Sequence, residues 1–168
     1  LSMSMRSESY LMKRLRRVEM NNSALFDNNT FYKAFERDLR HARQSVVIES
    51  PFITRRRMEH LLPLLTKLRR KGIRIVVNTR NPEEHNEEYA IQAEGAVAAM
   101  QDSGIKVLYT VKHHRKLAII DEEVLWEGSL NILSQGDSCE VMRRTVSNSL
   151  AWQMMHFTKL DSAIRGSR

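Results

Sequence analysis

His114 and Lys116 are two residues whose spacing allows them to act on one anion. They belong to a His-His-Arg-Lys stretch that leads into the apolar residues 117–120. The apolar run predicts a strand over residues 116–120, and the side chains of a strand alternate between its two faces. His114 and Lys116 therefore point the same way, about 6 to 7 Å apart along the backbone. An imidazole and an ammonium so placed can converge on one negatively charged group.

A second polar group follows after a turn. Asp121 ends the strand, residues 124–127 are predicted to return as its hairpin partner, and Gly128 and Ser129 come directly after them. Gly128 and Ser129 offer a flexible backbone with exposed amides and a hydroxyl, and Asn131 offers a carboxamide donor. These groups are suited to holding a phosphate beside the histidine.

Together these residues have the form H-x-K-x4-D followed by G-S-x-N, which resembles the signature of the phospholipase D superfamily. The residues in register with that signature are His114, Lys116, Asp121, Gly128, Ser129 and Asn131. Glu140 also lies where many members carry a glutamate shortly after G-S-x-N. The order of predicted elements over residues 29–164 agrees with one superfamily domain.

The resemblance implies a metal-independent phosphodiesterase, without a cofactor, that works through a covalent phosphohistidine. His114 would attack phosphorus, and a second histidine would protonate the leaving oxygen and then activate water. Lys116 and Asn131, assisted by Ser129, would neutralise and orient the nonbridging oxygens. Glu140 would accept a hydrogen bond from the far imidazole nitrogen of His114 and fix its tautomer.

The sequence contains one copy of this motif, whereas two-motif members build a site from two halves of one chain. The small single-motif nucleases of the superfamily bring two identical motifs together across a two-fold axis. The resemblance therefore implies a homodimer with one composite active site, in which both copies of His114 face one phosphate.

Three further motif residues have non-catalytic expectations. Asp121 is predicted to be structural, because its side chain falls on the strand face opposite to the pair, and Gly128 belongs to the structural part of the motif. His113 faces away from His114 by the same alternation, which leaves a solvent-facing and a structural role open. Ligand spacings typical of zinc are missing around the histidines and the single cysteine, Cys139, so no metal site is predicted.

The first half of the chain must position this motif through alternating helices and strands. A helix capped by Asn29 or Thr30 is predicted, then a strand over 45–49, a helix ending at Lys71, a strand over 73–78 and a helix over about 86–103. Because Pro63 removes an amide donor, we expect a break in the second helix near Leu62. The predicted inward residues of the third helix are Tyr89, Ala93, Val97 and Met100.

The second half is predicted to add strands over 105–110, 116–120, 124–127 and 140–146, then a helix over about 148–164. That helix is expected to bury Leu150, Met154, Phe157 and Leu160. The fold class is α/β, with a mixed, mostly parallel sheet flanked by helices on both faces. Residues 1–24 are interpreted as a basic N-terminal arm or linker helix, and 25–168 as a single phospholipase D-like domain.

Additional substrate contacts are predicted where the first two strands end, because ligands of α/β sheets bind there. Ser50 and Phe52 follow the first strand, and Arg80 follows the second. Phe52 could stack on a base or sugar or could fill the core, and Arg80 could contact a phosphate or be solvated.

Composition narrows the partners. Lys and Arg number 27 against 20 Asp and Glu, which gives a formal net charge of +7 and a sequence pI of about 9.9. This balance favours nucleic acid as partner. With no apolar run near the length of about 20 residues that a bilayer requires, we expect a cytoplasmic protein without membrane contact.

The sequence thus predicts a nuclease that cleaves DNA or RNA, with fusion to a helicase or another nucleic-acid-processing domain left open. Two alternatives remain: a hydrolase of phospholipids or other phosphodiesters, and a nucleic-acid-binding module that keeps the fold without turnover.

Overall fold

The computed structural model describes residues 22–134 and 136–166. The strands are β1 (Ser23–Asp27), β2 (Ser45–Glu49), β3 (Arg74–Arg80), β4 (Lys106–Thr110), β5 (Leu117–Ile120), β6 (Val124–Gly128) and β7 (Val141–Val146). The helices are α1 (Phe31–Arg40), α2 (Arg55–Arg70), α3 (Glu87–Asp102), α4 (Asn148–Phe157) and α5 (Asp161–Arg165), with a 3-10 turn at Pro82–Glu84. The arm predicted for residues 1–24 lies outside the described residues as far as residue 21.

The strands form one mixed seven-stranded sheet in the order β1-β7-β6-β5-β2-β3-β4. β2, β3 and β4 are parallel and connected by helices, whereas β5, β6, β7 and β1 pair antiparallel. The predicted α/β class with a mixed sheet is confirmed. The parallel part is smaller than expected, because β5 and β6 are joined by a tight turn that permits only an antiparallel pair.

Helices cover both faces of the sheet, as predicted, and each face has its own apolar core. The larger core packs α1, α2 and α3 against the sheet around Trp126, whose ring meets that of Phe31 edge-on at 5.1 Å. The smaller core packs α4 and α5 against Val47, Leu117 and Ile119. Successive residues of β5 thus alternate between the two cores, which fixes the register of the strand that follows the histidines.

Three predictions for the first half of the chain need correction. β1 was not predicted; it is an edge strand whose exposed residues include Leu25, so its sequence carries little alternation. Thr30 does precede α1, but no side chain caps that helix. α2 runs through Pro63 without the break or fresh start expected near Leu62, and the proline lies on the exposed face of the helix.

Two amphipathic faces also differ from prediction. Tyr89, in the first turn of α3, is 40% exposed, whereas Ala93, Val97 and Met100 are buried as predicted. The final helical segment is two helices, separated at Lys159, whose φ is +59°. The buried apolar residues of that segment are Ala151, Met155, Leu160, Ala163 and Ile164. Leu150 and Phe157, predicted to be buried, are 46% and 74% exposed.

The candidate site residues meet at one end of the strands in the middle of the sheet. Glu49 at the end of β2 pairs with Leu117 at the start of β5, and Leu117 pairs with Glu127 near the end of β6. Gly128 then pairs with Met142 at the start of β7. The segments before β5, after β6 and before β7 therefore lie at the same end of the strands.

Gly128 allows β6 and β7 to approach closely, and a Gly128→Ala substitution tests this. A Cβ at Gly128 would lie 2.0 Å from the carbonyl oxygen of Val141 and 2.9 Å from Cα of Met142. We expect the alanine to lower the free energy of unfolding by about 1–3 kcal/mol, as overpacking does. Denaturant unfolding measures the change.

Gly95→Ala is the matched control, because a Cβ at Gly95 in α3 meets no atom within 4 Å. That alanine should raise the free energy of unfolding, by up to about 1 kcal/mol, through its higher helix propensity. Equal effects of the two substitutions would contradict the close approach of β7 at Gly128.

Candidate functional site

His114 and Lys116 converge as predicted. The ammonium Nζ of Lys116 lies 3.1 Å from Nδ1 of His114 and donates a hydrogen bond to the His114 carbonyl at 2.9 Å. His114 is exposed and Lys116 is half-buried. Burial lowers the pKa of Lys116, and the carboxylate of Glu140 opposes that shift. The pair therefore presents an imidazole and a partly desolvated cation at the edge of the sheet.

Ser129 joins the segment after β6 to the start of β7. Its amide donates to the carbonyl of Val141 at 2.9 Å, and its hydroxyl accepts from the Val141 amide at 3.0 Å. The same hydroxyl interacts with Glu140. Ser129 thus holds the two segments together, and its predicted contact with a substrate oxygen would have to compete with these bonds.

Glu140 is held as an anion by neighbouring hydroxyls. Hydrogen bonds from Ser129 and Ser138 lower the pKa of Glu140, with a smaller contribution from Lys116. The Ser138 bond is 2.7 Å long. Within the described residues, Nδ1 of His114 faces Lys116 rather than Glu140. The predicted carboxylate–imidazole bond is not formed in this arrangement, so the role of Glu140 stays a prediction.

Asn131 is positioned by a residue that the sequence did not single out. The Tyr32 hydroxyl donates to the carbonyl of Ser134 at 2.8 Å and lies 3.3 Å from the carbonyl of Asn131. The guanidinium of the buried Arg57 stacks on the Tyr32 ring at 3.3 Å. Oδ1 of Asn131 is buried without a hydrogen-bond partner among the described residues. The backbone of Asn131 is thus held in place by Tyr32, whereas its side-chain oxygen has no hydrogen-bond partner among the described residues.

Asp121 acts on the opposite end of the sheet from the histidine. Its carboxylate accepts hydrogen bonds from the backbone amides of Arg43, Gln44 and Ser45, at 2.7 to 3.1 Å. These amides lie just before β2 and at its first residue, and β2 is the partner strand of β5. Asp121 therefore fastens the turn after β5 to the start of β2.

The predicted substrate contacts at the strand ends have different surroundings. Ser50 is fully buried and hydrogen-bonds the Phe52 carbonyl and the Leu133 amide, which argues against its predicted contact with a substrate. Phe52 is half-buried, and its ring lies 5.1 Å from that of His85. Arg80 is half-buried, with Nε 3.6 Å from Glu84. The contacts of Phe52 and Arg80 stay predictions.

His113 turns inward, and the structure answers the choice that the sequence left open. Its side chain is 3% exposed, which excludes the solvent-facing role. Glu49, which the sequence analysis did not identify, lies beside it, with an oxygen 3.3 Å from Nε2. No local pattern reveals this contact, because 64 positions separate the residues. Among residues 22–134 and 136–166, no group of three or more His, Cys, Asp or Glu side chains could hold a metal ion.

A cavity of about 500 Å³ opens beside the pair. Its polar lining includes His114, Arg115, Lys116, Glu127 and Arg143, and its apolar lining includes Leu25, Leu117, Val141, Met154 and Phe157. A second cavity of about 490 Å³ shares Glu127, Arg143, Met154 and Phe157. The site thus joins a cationic wall to an apolar rim. Within the described ranges, no helix is long and apolar enough to span a bilayer.

Comparisons with known proteins agree with this geometry. The sequence matches the family model described as "Cardiolipin synthase, PLD-like domain" over residues 35–157. NucT from Helicobacter pylori has a similar fold, with a TM-score of 0.66 and 19% identity over 82% of this chain and 92% of NucT. No curated protein sequence matches the chain.

Two further solved structures share the fold. Nuc from Salmonella typhimurium, a phospholipase D family member, gives a TM-score of 0.64 and 14% identity over 80% of this chain and 91% of Nuc. TrmBL2, an archaeal chromatin protein with a novel mode of DNA binding, gives 0.56 and 7% identity over 91% of this chain and 59% of TrmBL2. At these identities, the likeness concerns the fold alone.

The contact between Tyr32 and the Asn131 segment can be tested with Tyr32→Phe. Removing the hydroxyl leaves the Ser134 carbonyl without its donor, so we expect the free energy of unfolding to fall by about 1 kcal/mol. The side-chain amide signals of Asn131 should shift in the NMR spectrum. Tyr109→Phe is the control, because Tyr109 is half exposed on the edge strand β4. Identical, negligible changes in both variants would contradict the role of Tyr32.

Proposed function

Because the chain belongs to the family of PLD-like domains, we propose that it is a metal-independent phosphodiesterase that cleaves DNA or RNA through a phosphohistidine. The observation that carries the proposal is the convergence of His114 and Lys116, 3.1 Å apart, on an open cavity with a cationic wall. Asn131 and Glu140 are taken as the further groups that orient the phosphoryl oxygens and the nucleophile, and a second imidazole is still required as the acid.

The reaction has two displacement steps. A ring nitrogen of His114 attacks phosphorus, an N–P bond forms, and the P–O bond to the leaving group breaks as that oxygen receives a proton from a second imidazole. Water, deprotonated by the same second imidazole, then attacks phosphorus and the N–P bond breaks. Splitting one displacement in this way is the usual benefit of covalent catalysis.

Lys116 has a different partner before and after substrate binds. In the free protein its ammonium faces Nδ1 of His114. The monoanionic phosphodiester is a stronger attractor than a neutral ring, so substrate draws Lys116 toward the nonbridging oxygens. Nδ1 of His114 is then released, and once the ring proton has passed through solvent from Nε2 to Nδ1, Glu140, an anion already attracted to Lys116, can accept a hydrogen bond from it and Nε2 is free to attack. This order would form the predicted His114–Glu140 bond only in the substrate complex.

Charge supports nucleic acid as the substrate. The formal net charge is +7, and the cavity adds the guanidinium group of Arg143 to the Lys116 ammonium, whereas Arg115, which also lines it, is paired with Glu49. A polynucleotide carries several phosphates, so cations beyond the catalytic pair increase its affinity, whereas a single phosphodiester makes use of fewer of them.

A phospholipid substrate is the second candidate, and the apolar rim of the cavity favours it. Leu25 is 62% exposed, Val141 51% and Phe157 74%, and all three line the cavity. The description of the matching family model also names cardiolipin synthase, an enzyme of phospholipids. Acyl chains could contact such a rim.

We assign the rim instead to a second copy of the chain. Leu150 and Phe157 are exposed on α4, and with the partly buried Met154 they form an apolar stripe that continues through Leu25 beside the His114 cavity. A two-fold axis near the rim would cover the stripe in both copies and place two His114 side chains in one cleft. The second His114 would supply the acid that the mechanism needs.

The catalytic pair can be tested with His114→Ala and Lys116→Ala in excess EDTA. On labelled single- and double-stranded DNA and RNA, we expect wild-type cleavage and a loss of at least about 10⁴-fold in His114→Ala, the scale seen when a covalent nucleophile is removed. Lys116→Ala should also abolish turnover. His41→Ala, at an exposed histidine after α1, is the matched control.

Anionic phospholipid vesicles, assayed in parallel, decide between the two substrate classes. Turnover of lipid without turnover of nucleic acid would overturn the nuclease proposal. Activity that requires an added divalent metal would contradict the mechanism.

The assignment of the rim can be tested with Phe157→Glu. Since Phe157 is 74% exposed, a charge there should leave the fold intact but prevent association of the apolar stripes. Light scattering should give twice the chain mass of 19.6 kDa for the wild type and the monomer mass for the variant, with activity lost in parallel.

Val111→Glu is the control, because Val111 is also exposed and apolar but follows the distant edge strand β4. It should remain dimeric and active. A fully active monomer of either variant would contradict the composite site.

A further inference from the structure

Glu49 is a carboxylate buried at the last position of β2. Its exposed fraction is 0%, and it lies opposite Leu117 in the register of the sheet. An ionised carboxylate removed from water is costly unless cations and hydrogen-bond donors surround it. The partners of Glu49 therefore indicate which parts of the fold its charge holds.

Arg115 is the main partner of Glu49. Nε of Arg115 donates to Oε2 at 2.6 Å and Nη2 donates to Oε1 at 2.9 Å, which is the bidentate geometry that strengthens an arginine–carboxylate pair. These bonds raise the pKa of Arg115. Asn78 of β3 adds a third donor, with Nδ2 3.3 Å from Oε1. The carboxylate is thus compensated by the residue that directly follows His114.

His113, which directly precedes His114, faces the same carboxylate. Its Nε2 lies 3.3 Å from Oε2 of Glu49, within ion-pair distance but without hydrogen-bond alignment. Its Nδ1 accepts a hydrogen bond from the backbone amide of Arg115 at 3.2 Å. A ring that accepts at Nδ1 and is neutral carries its proton on Nε2, on the side of Glu49. Burial lowers the pKa of His113, which favours this neutral form.

These contacts enclose the backbone of His114. His113 and Arg115 flank it, both are directed at one buried anion, and the Arg115 amide is bonded to the His113 ring. Positions 113 to 115 precede β5, and the backbone bonds that flank His114 lie at the two ends of the segment, from the His113 amide to the Thr110 carbonyl and from the Gly128 amide to the Lys116 carbonyl, both 3.3 Å long. Inward anchoring at positions 113 and 115 leaves positions 114 and 116 directed outward, toward the cavity.

The anchor is itself connected to two further strands. Asn78 lies opposite Glu49 in the register of β2 and β3, and its Oδ1 accepts a hydrogen bond from Thr110 of β4 at 3.0 Å. Through Glu49 and Asn78, the segment that carries His114 is therefore bonded to β2, β3 and β4.

We propose that Glu49 is a positioning residue for His114: its carboxylate, shared by Arg115 and His113, fixes the backbone on both sides of the nucleophile and directs His114 and Lys116 into the cavity. The inference rests on the proposed function, because it assigns His114 as the nucleophile. Glu49 does not contact substrate, since it is fully buried.

Glu49→Gln tests the proposal. The substitution removes the charge and keeps the shape, and it leaves no buried cation behind because the Arg115 side chain is 42% exposed to water. We expect kcat for phosphodiester hydrolysis to fall by about 10- to 100-fold, the cost of a small misplacement of a reacting group, with a much smaller change in KM. Glu49→Asp keeps the charge, which the long side chain of Arg115 can still reach, and should restore part of kcat.

Leu68→Ala is the control for a general loss of stability. Leu68 is buried in α2 and belongs to the larger core. This variant should lower the melting temperature and leave kcat near the wild-type value. If Glu49→Gln does not fold, Glu49→Gln with Arg115→Gln replaces the ion pair by a neutral pair, and the comparison is made with that protein. Full kcat in a folded variant that lacks the Glu49 charge would overturn the proposal.

A second readout does not depend on activity. The ring ¹H–¹³C signals of His114, assigned by their loss in His114→Ala, should be a single sharp set in the wild type and should broaden or divide in Glu49→Gln, while those of His41 stay unchanged. Unaltered His114 signals would refute the anchor. If the wild-type protein cleaves no phosphodiester, the proposed function fails, and this spectrum alone decides whether Glu49 positions His114.

Discussion

A buried negative charge at the end of β2 is the constraint on which the site depends. Glu49 is fully excluded from water, and its compensating cation comes from Arg115, in the segment that carries His114. A helix or loop could have supplied that cation elsewhere in the fold. Because the nucleophile's own neighbours supply it, the stability of the sheet and the direction of His114 are set by the same contact.

The other half of the site is fixed by close packing rather than by charge. Gly128 permits the backbone of β7 to approach β6, Ser129 bonds the start of β7, and Tyr32 holds the segment that contains Asn131. The charged anchor at Glu49 and the packed segment after β6 therefore lie at the same end of the strands. The cavity beside His114 opens at this end. Lys116 stands where the two meet, attracted by Glu140 and in contact with His114.

The sequence predicted what depends on local spacing. The motif residues, six of the strands and the α/β class follow from alternation, turn residues and apolar periodicity. Glu49 and Tyr32 were missed because their partners lie 66 and 99 positions away, at distances that no local pattern records. The last helix was predicted in part with the wrong face buried: Leu150 and Phe157 are exposed and Met154 is only partly buried, whereas Leu160 is buried as predicted. The exposed Leu150 and Phe157 belong to the surface that we assign to the second copy.

The central claim is that His114 forms a covalent bond to the phosphorus of a phosphodiester. Mixing the protein with labelled substrate in EDTA, quenching with alkali within the first turnover and mapping the labelled peptide by mass spectrometry tests it directly. The account predicts an acid-labile phosphoramidate on the peptide that contains His114. Active protein that accumulates no such adduct, or carries it on another residue, would contradict the account.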